Sequence, residues 1–176
     1  MQKRIKNIVY IAMFAAVIAV CSLITVPFSV PFTMQTFAVF FALLMLGGRR
    51  GTSAVAVYVA LGLAGLPVFS GFVGGPAALF GATGGYIIGF LLAALLFWLF
   101  EILWGGKHGA EAVSVMIGMT VCYTSGALWY AFGYAGGTGA GFAAAIIQCV
   151  LPFILLDATK ISLAFLLCRR LKKYMK

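Results

Sequence analysis

Apolar positions along this chain fall in long unbroken runs. They do not alternate as in a half-buried strand, nor repeat on one face as in a soluble helix. Six runs stand out, over residues 5–25, 33–46, 52–66, 83–104, 110–132 and 142–167. A helix needs about 20 apolar residues to cross a bilayer. The second and third runs are shorter. They can span if each helix extends into its flanks, or if the bilayer thins around them at a cost of fractions of a kcal/mol per Å. Between the runs stand Pro27 with Pro31, then Gly47-Gly48-Arg49-Arg50-Gly51, a Gly/Pro-rich stretch over 67–82, Gly105-Gly106-Lys107-His108-Gly109, and residues 133–141. Pro removes a helix donor and Gly reaches positive φ, so each of these reads as a connection. The predicted fold is an all-α membrane protein: a bundle of six transmembrane helices forming a single polytopic domain over residues 1–176. The longest outer connection, between the third and fourth helices, carries Leu66, Val68, Phe69, Phe72, Val73, Leu79 and Phe80. It is too apolar for a loop in water and is expected to be ordered, packed back into the mouth of the bundle.

Composition removes the soluble alternative. Hydrophobic residues make up 64% and charged residues 9% of the 176, whereas a soluble domain carries roughly a quarter charged residues. The formal charge of +9, from 12 Lys+Arg against 3 Asp+Glu, raises the question of a nucleic-acid partner. The basic residues form no sustained stripe and stand in short clusters between apolar runs, which argues against one. With the basic N-terminus placed in the cytoplasm and the connections alternating sides, Arg49, Arg50, Lys107 and residues 169–176 all fall on the cytoplasmic side. The remaining connections carry no charge. This is the positive-inside pattern at every turn, and it predicts a multi-pass plasma-membrane protein with both termini cytoplasmic. Lys3, Arg4 and Lys6 before the first run resemble the start of a signal peptide, but no A-x-A-like cleavage site follows, so a retained first helix is expected. Cys21, Cys122, Cys149 and Cys168 all sit inside apolar runs and read as reduced packing residues.

Only Asp157 and Lys160 place charge well inside an apolar run. A charge at mid-bilayer costs about 2.5 to 3.5 kcal/mol on insertion scales, so such residues pair or face a polar cavity. Their i, i+3 spacing puts both on one helix face. Two readings fit: a salt bridge that locks the last helix to a neighbour, or an acceptor and a donor for a ligand in one cavity. Glu101 and Glu111 flank the Lys107 connection and read as interfacial helix-end charges. Gly81, Gly85 and Gly89 repeat every four residues, a small-residue face for close helix packing. Thr83 and Tyr86 stand beside them where a helix begins at the outer side, and free N–H groups and hydroxyls there can meet a polar ligand. Thr33, Gln35 and Thr36 open the second helix in the same way, as caps or as ligand contacts. In the first helix Ala12 with Ala16, and Ala15 with Ala19, make A-x-x-x-A patterns that allow another helix to approach closely, either within the bundle or on a partner.

No G-x-x-x-x-G-K-[ST] phosphate loop is present. His108, the sole histidine, has no carboxylate or cysteine at metal-ligand spacing, so neither a metal site nor a His-based catalytic triad is predicted. A membrane-embedded binding protein fits better than an enzyme, and active accumulation would then draw on a partner for energy.

Four motifs in order carry a resemblance: Pro31-Phe-Thr-Met-Gln-Thr-Phe37, Leu66-Pro-Val-Phe-Ser-Gly71, Phe80-Gly-Ala-Thr-Gly-Gly-Tyr86 and Asp157-x-x-Lys160. Together they resemble the biotin-specific S component of energy-coupling factor (ECF) transporters, the BioY family, over essentially the whole chain. The family turn commonly reads Gly-Pro-Thr-Gly-Gly-Tyr, and Ala82 stands here in place of its proline. The resemblance implies six transmembrane helices, biotin as the transported ligand and no cofactor. It also implies substrate contacts at Asp157, Lys160, Tyr86, Thr83, Gln35 and Thr33. Docking of the Ala-rich first helix, through Ala12, Ala16, Ala15 and Ala19, onto a transmembrane T component with two ATPase subunits is implied as well. An S component for another vitamin, and an ion-coupled secondary transporter using Asp157 as its proton site, are the competing expectations.

Overall fold

A computed structural model describes residues 2–26, 31–105, 109–134 and 141–174. Pro27, the connection with Lys107 and His108, and most of the 133–141 connection lie outside them. Helix α1 covers Gln2–Leu23, and a two-residue antiparallel ladder of β1 (Thr25–Val26) and β2 (Phe32–Thr33) links it to α2 (Gln35–Leu46). Helix α3 (Gly48–Leu63) follows after the single residue Gly47. Then come a short α4 (Ala77–Phe80), α5 (Gly84–Trp104), and α6 (Ala110–Leu128), which ends in a π turn over Trp129–Gly133. Helices α7 (Gly141–Cys149) and α8 (Leu151–Leu171) complete the chain, with a 3-10 turn at Lys172–Tyr174.

Among the described residues four helical stretches are long and apolar enough to cross a membrane: Gln2–Leu23, Gly84–Trp104, Ala110–Gly133 and Ala145–Tyr174. Helix α2 is apolar but short, and its surroundings explain why that suffices. Ten of its 12 residues are buried, and it packs against α1, α3 and α8. A helix that is apolar all round belongs in the interior, where its neighbours shield it from mismatch with the bilayer. Helix α1 differs: Phe14, Ala15, Ile18 and Ser22 face inward while Ile5, Ile8, Val9, Met13 and Val20 are exposed. In a membrane chain that outer stripe faces lipid or another protein.

Two boundaries and the packing of one loop depart from the sequence reading. The expected single helix over 142–167 is two, meeting at Val150. Pro152 in the first turn of α8 has no N–H to give to the α7 ladder. Helix α3 begins at Gly48, not at residue 52, so the Gly-Gly-Arg-Arg-Gly segment is mostly helix. Gly47, at φ +78°, makes the reversal alone, and the Glu101 carboxylate accepts the Gly48 N–H at 2.7 Å, capping the new N-terminus. The loop between α3 and α5 is only partly packed back. Phe69 is buried at 2% exposure, whereas Phe72 and Phe80 are 67% and 71% exposed. A T-shaped contact with Tyr58 holds Phe69.

Helices α5 and α6 pair along their length through Gly85 and Gly89, while Gly81 lies before α5, where its carbonyl accepts from Trp129 Nε1 at 3.0 Å. A Cβ at Gly85 would lie 2.3 Å from Trp129 Cβ and 2.5 Å from the Ser125 carbonyl oxygen, so the helices approach to a distance only glycine permits. Gly85→Ala is therefore expected to lower the unfolding temperature in detergent, at about 1 to 3 kcal/mol for overpacking. Unchanged melting would mean that α5 and α6 are spaced further apart than described.

Candidate ligand-binding site

The β1–β2 ladder pairs Thr25 with Thr33 and Val26 with Phe32. It thereby fixes the entry to α2 beside α8, where Phe32 stacks on Phe153 at 5.8 Å between ring centroids. Between this entry, the inner turn of the α3–α5 loop, the start of α5, the middle of α6 and the first half of α8 lies a cavity. Its walls include Phe32, Phe69, Phe90, Met119 and Phe153, and its polar groups come from Thr33, Gln35, Thr36, Ser70, Thr83, Tyr86, Tyr123, Asp157 and Lys160. All six residues singled out for substrate contact, from three separate stretches of sequence, line this one space.

Asp157 and Lys160 are 4% and 6% exposed and bonded to each other, Lys160 Nζ to Asp157 Oδ1 at 2.8 Å. Lys160 Nζ also donates to the Thr33 carbonyl oxygen at 2.5 Å and lies 3.5 Å from the centroid of the Phe32 ring. The ammonium is thus held by a carboxylate, a carbonyl and an aromatic face. Asp157 Oδ2 accepts from the Tyr123 hydroxyl at 2.7 Å. A carboxylate offers about four acceptor positions, so Asp157, with two in use, keeps acceptor capacity on the cavity wall. The lysine's donors are largely consumed inside the protein. Removal of either partner would strand the other charge in a buried place.

The other polar groups are positioned by bonds that run away from the cavity. Gln35 Nε2 donates to the Tyr58 hydroxyl at 2.9 Å, and Tyr58 donates to the Val68 carbonyl at 3.1 Å. Ser22 of α1 donates to that same carbonyl, so loop, α1 and pocket share one anchor. Thr33 Oγ1 accepts the Gln35 backbone N–H at 3.3 Å. Thr83 occupies the cap position of α5. Tyr86 donates its hydroxyl to the Cys149 carbonyl at 2.5 Å, tying α5 to α7.

The sequence reading missed Tyr123 and the aromatic walls. Tyr123 sits in a run of small and apolar residues, where its hydroxyl looks no different from that of a lipid-facing tyrosine. Phe32 and Phe90 lie inside or just past motifs whose polar members alone attracted notice. Of the A-x-x-x-A patterns, Ala12 and Ala16 lie on the exposed face of α1. Ala15 is 1% exposed and Ala19 is half-buried against the core. The helix thus turns Ala15 and Ala19 toward the bundle, and of the four alanines only Ala12 and Ala16 face outward.

The sequence model of the BioY family matches residues 1–176. The chain is 36% identical over 168 residues to "Probable biotin transporter BioY" of Pyrococcus horikoshii, covering 95% of this chain and 96% of that protein. It is 34% identical over 174 residues to "Biotin transporter BioY" of Thermotoga maritima, covering 96% of each. Its fold matches the crystal structure of the S-component for biotin from an ECF-type ABC transporter with a TM-score of 0.84 at 30% identity, over 98% of this chain and 93% of that one. With the fold, the cavity and the full-length sequence match in agreement, the chain belongs to the BioY family.

Proposed function

We propose that this chain is the biotin-binding S component of an ECF-type uptake transporter, a multi-pass membrane subunit without enzymatic activity of its own. The observation that carries this reading is the convergence of Asp157, Lys160, Tyr86, Thr83, Gln35 and Thr33 on one aromatic-walled cavity. Biotin presents two ureido N–H donors, an apolar fused ring and tail, and a terminal carboxylate. The unused acceptor positions of Asp157 suit the ureido donors. Phe32, Phe69, Phe90 and Phe153 suit the ring and tail, and the hydroxyls of Thr83 and Ser70 suit the carboxylate. Lys160 holds the Asp157 carboxylate in place, and two of its three donors are taken by Asp157 and Thr33.

In this reading α1, α2, α3, α5, α6 and the α7–α8 unit make six crossings of a single domain, with both termini in the cytoplasm. Arg4, Arg49, Arg50 and Lys172 gather at one end of the bundle, as the positive-inside rule requires, and the cavity opens toward the other. Biotin enters from the outer side. Energy comes from two ATPase subunits through a transmembrane T component that docks on α1 at Ala12 and Ala16. No cofactor or metal takes part.

Mass spectrometry of the small molecule that copurifies with the detergent-extracted full chain tests the ligand assignment. Biotin is the expected species, and a different vitamin in its place would overturn the assignment.

A further inference from the structure

At the end of the bundle away from the cavity lies a wider cleft of about 880 Å³, formed by the start of α1, the α2–α3 reversal, the end of α5, the start of α6 and the end of α8. Four cations and two carboxylates line it: Arg4, Arg49, Arg50 and Lys172 with Glu101 and Glu111. The fold has already engaged most of these charges. Glu111 pairs with Lys172 at 3.0 Å, and Glu101 caps α3 through the Gly48 N–H. Arg50 donates to the Leu46 carbonyl at 2.9 Å and to Asn7 at 3.3 Å. Among the described residues the guanidinium groups of Arg4 and Arg49 have no hydrogen-bonded or ionic partner. Cations outnumber carboxylates four to two, and neither carboxylate pairs with Arg4 or Arg49, so the cleft presents two unspent guanidinium groups, the side chain best shaped for bidentate contact with a phosphate.

We propose that this cleft binds the headgroup phosphate of an anionic phospholipid, with Arg4 and Arg49 as the phosphate-binding residues. A lipid suits the position better than a free anion. The cleft lies where the apolar helices end in basic residues, the level of a membrane–water interface. From Arg4 the same face of α1 continues through Ile8, which is 66% exposed, to Ile11, which lines the cleft. A phosphate at Arg4 therefore leaves its acyl chains on an apolar strip continuous with the site. Basic pockets between transmembrane helices are a recurrent way of holding anionic headgroups.

The test uses the full chain, delipidated in detergent. Phosphatidylglycerol, phosphatidylcholine or glycerol phosphate is added, and unfolding temperature and lipid retained in native mass spectra are read. Phosphatidylglycerol is expected to raise the unfolding temperature saturably, while the other two do not. Arg4→Gln with Arg49→Gln should raise the half-saturating phosphatidylglycerol concentration by about thirtyfold, at about 1 kcal/mol for each basic side chain near the surface. Arg4→Gln alone, about fivefold by the same conversion, keeps the test decisive should the double variant fold poorly. Arg169→Gln with Arg170→Gln removes the same charge at the same end outside the cleft, and should leave the value nearly unchanged. Equal weakening by the two double variants would replace the site with diffuse attraction. Equal stabilisation by glycerol phosphate would make it a free-anion site, and equal stabilisation by phosphatidylcholine would remove the role of charge; each overturns the proposal.

Discussion

Biotin binding to the full chain is expected to fall by about two decades or more on Asp157→Asn, and comparably on Lys160→Met. The two losses have different routes. Asp157→Asn removes the negative charge and turns one of the two acceptor oxygens into an NH2 donor, which leaves the Lys160 ammonium without its counter-charge beside the Thr33 carbonyl and the Phe32 ring. Lys160→Met leaves the carboxylate with the Tyr123 hydroxyl alone. Removing one partner of a buried pair typically costs about 3 to 5 kcal/mol, and if about 3 kcal/mol of that appears in binding, affinity changes by about two decades. Equilibrium titration of ligand-free protein, with melting measured in the absence of biotin, separates lost binding from lost folding. Near-parental affinity in either well-folded variant would mean that the ligand sits elsewhere.

Active uptake is expected to disappear when Ala12 and Ala16 are both replaced by Trp, while biotin binding by the isolated chain stays close to the parent's. Both alanines lie on the outward face of α1, away from the cavity-lining groups. Two indoles there hold an approaching helix several ångströms off without touching the ligand. The same change at Ala15, buried at 1% exposure, should instead damage folding, since overpacking a filled core forces neighbours off their rotamers. Uptake by vesicles carrying the assembled transporter and titration of the solitary chain are the two readouts. A parallel fall of both in the Ala12/Ala16 variant would place these residues in the internal packing.

The sequence made the helices and the charged pair legible because bilayer physics writes them strongly. Apolar runs, Gly/Pro punctuation and one-sided basic clusters each follow from the cost of polar groups in hydrocarbon. Asp157 and Lys160 stood out for the same reason. Thr33, Gln35, Thr83 and Tyr86, which line the cavity, draw attention in the sequence because polar groups at helix starts are few in such a chain. What the sequence hid depends on partners that are distant along it. The break at Pro152 lay inside an otherwise continuous apolar run, and the helical start at Gly48 depends on Glu101, 53 residues further on. Tyr123 and the ring walls were invisible because aromatic side chains face lipid and ligand equally well. The inward turn of Ala15 and the outward turn of Ala12 are set by which flank of α1 meets α2 and α3, which no local pattern states.

The pair's role as ligand contact or as structural lock is decided by one titration, of biotin into the double variant Asp157→Asn with Lys160→Met, run beside the parent in the absence of any partner subunit. With both charges removed, no uncompensated ion remains in the bundle, so the variant should melt close to the parent. If the pair recognises biotin, the parent binds saturably and the well-folded double variant does not. Binding by the double variant equal to the parent's would contradict the assignment and leave Asp157 and Lys160 as a lock between α8 and the entry to α2.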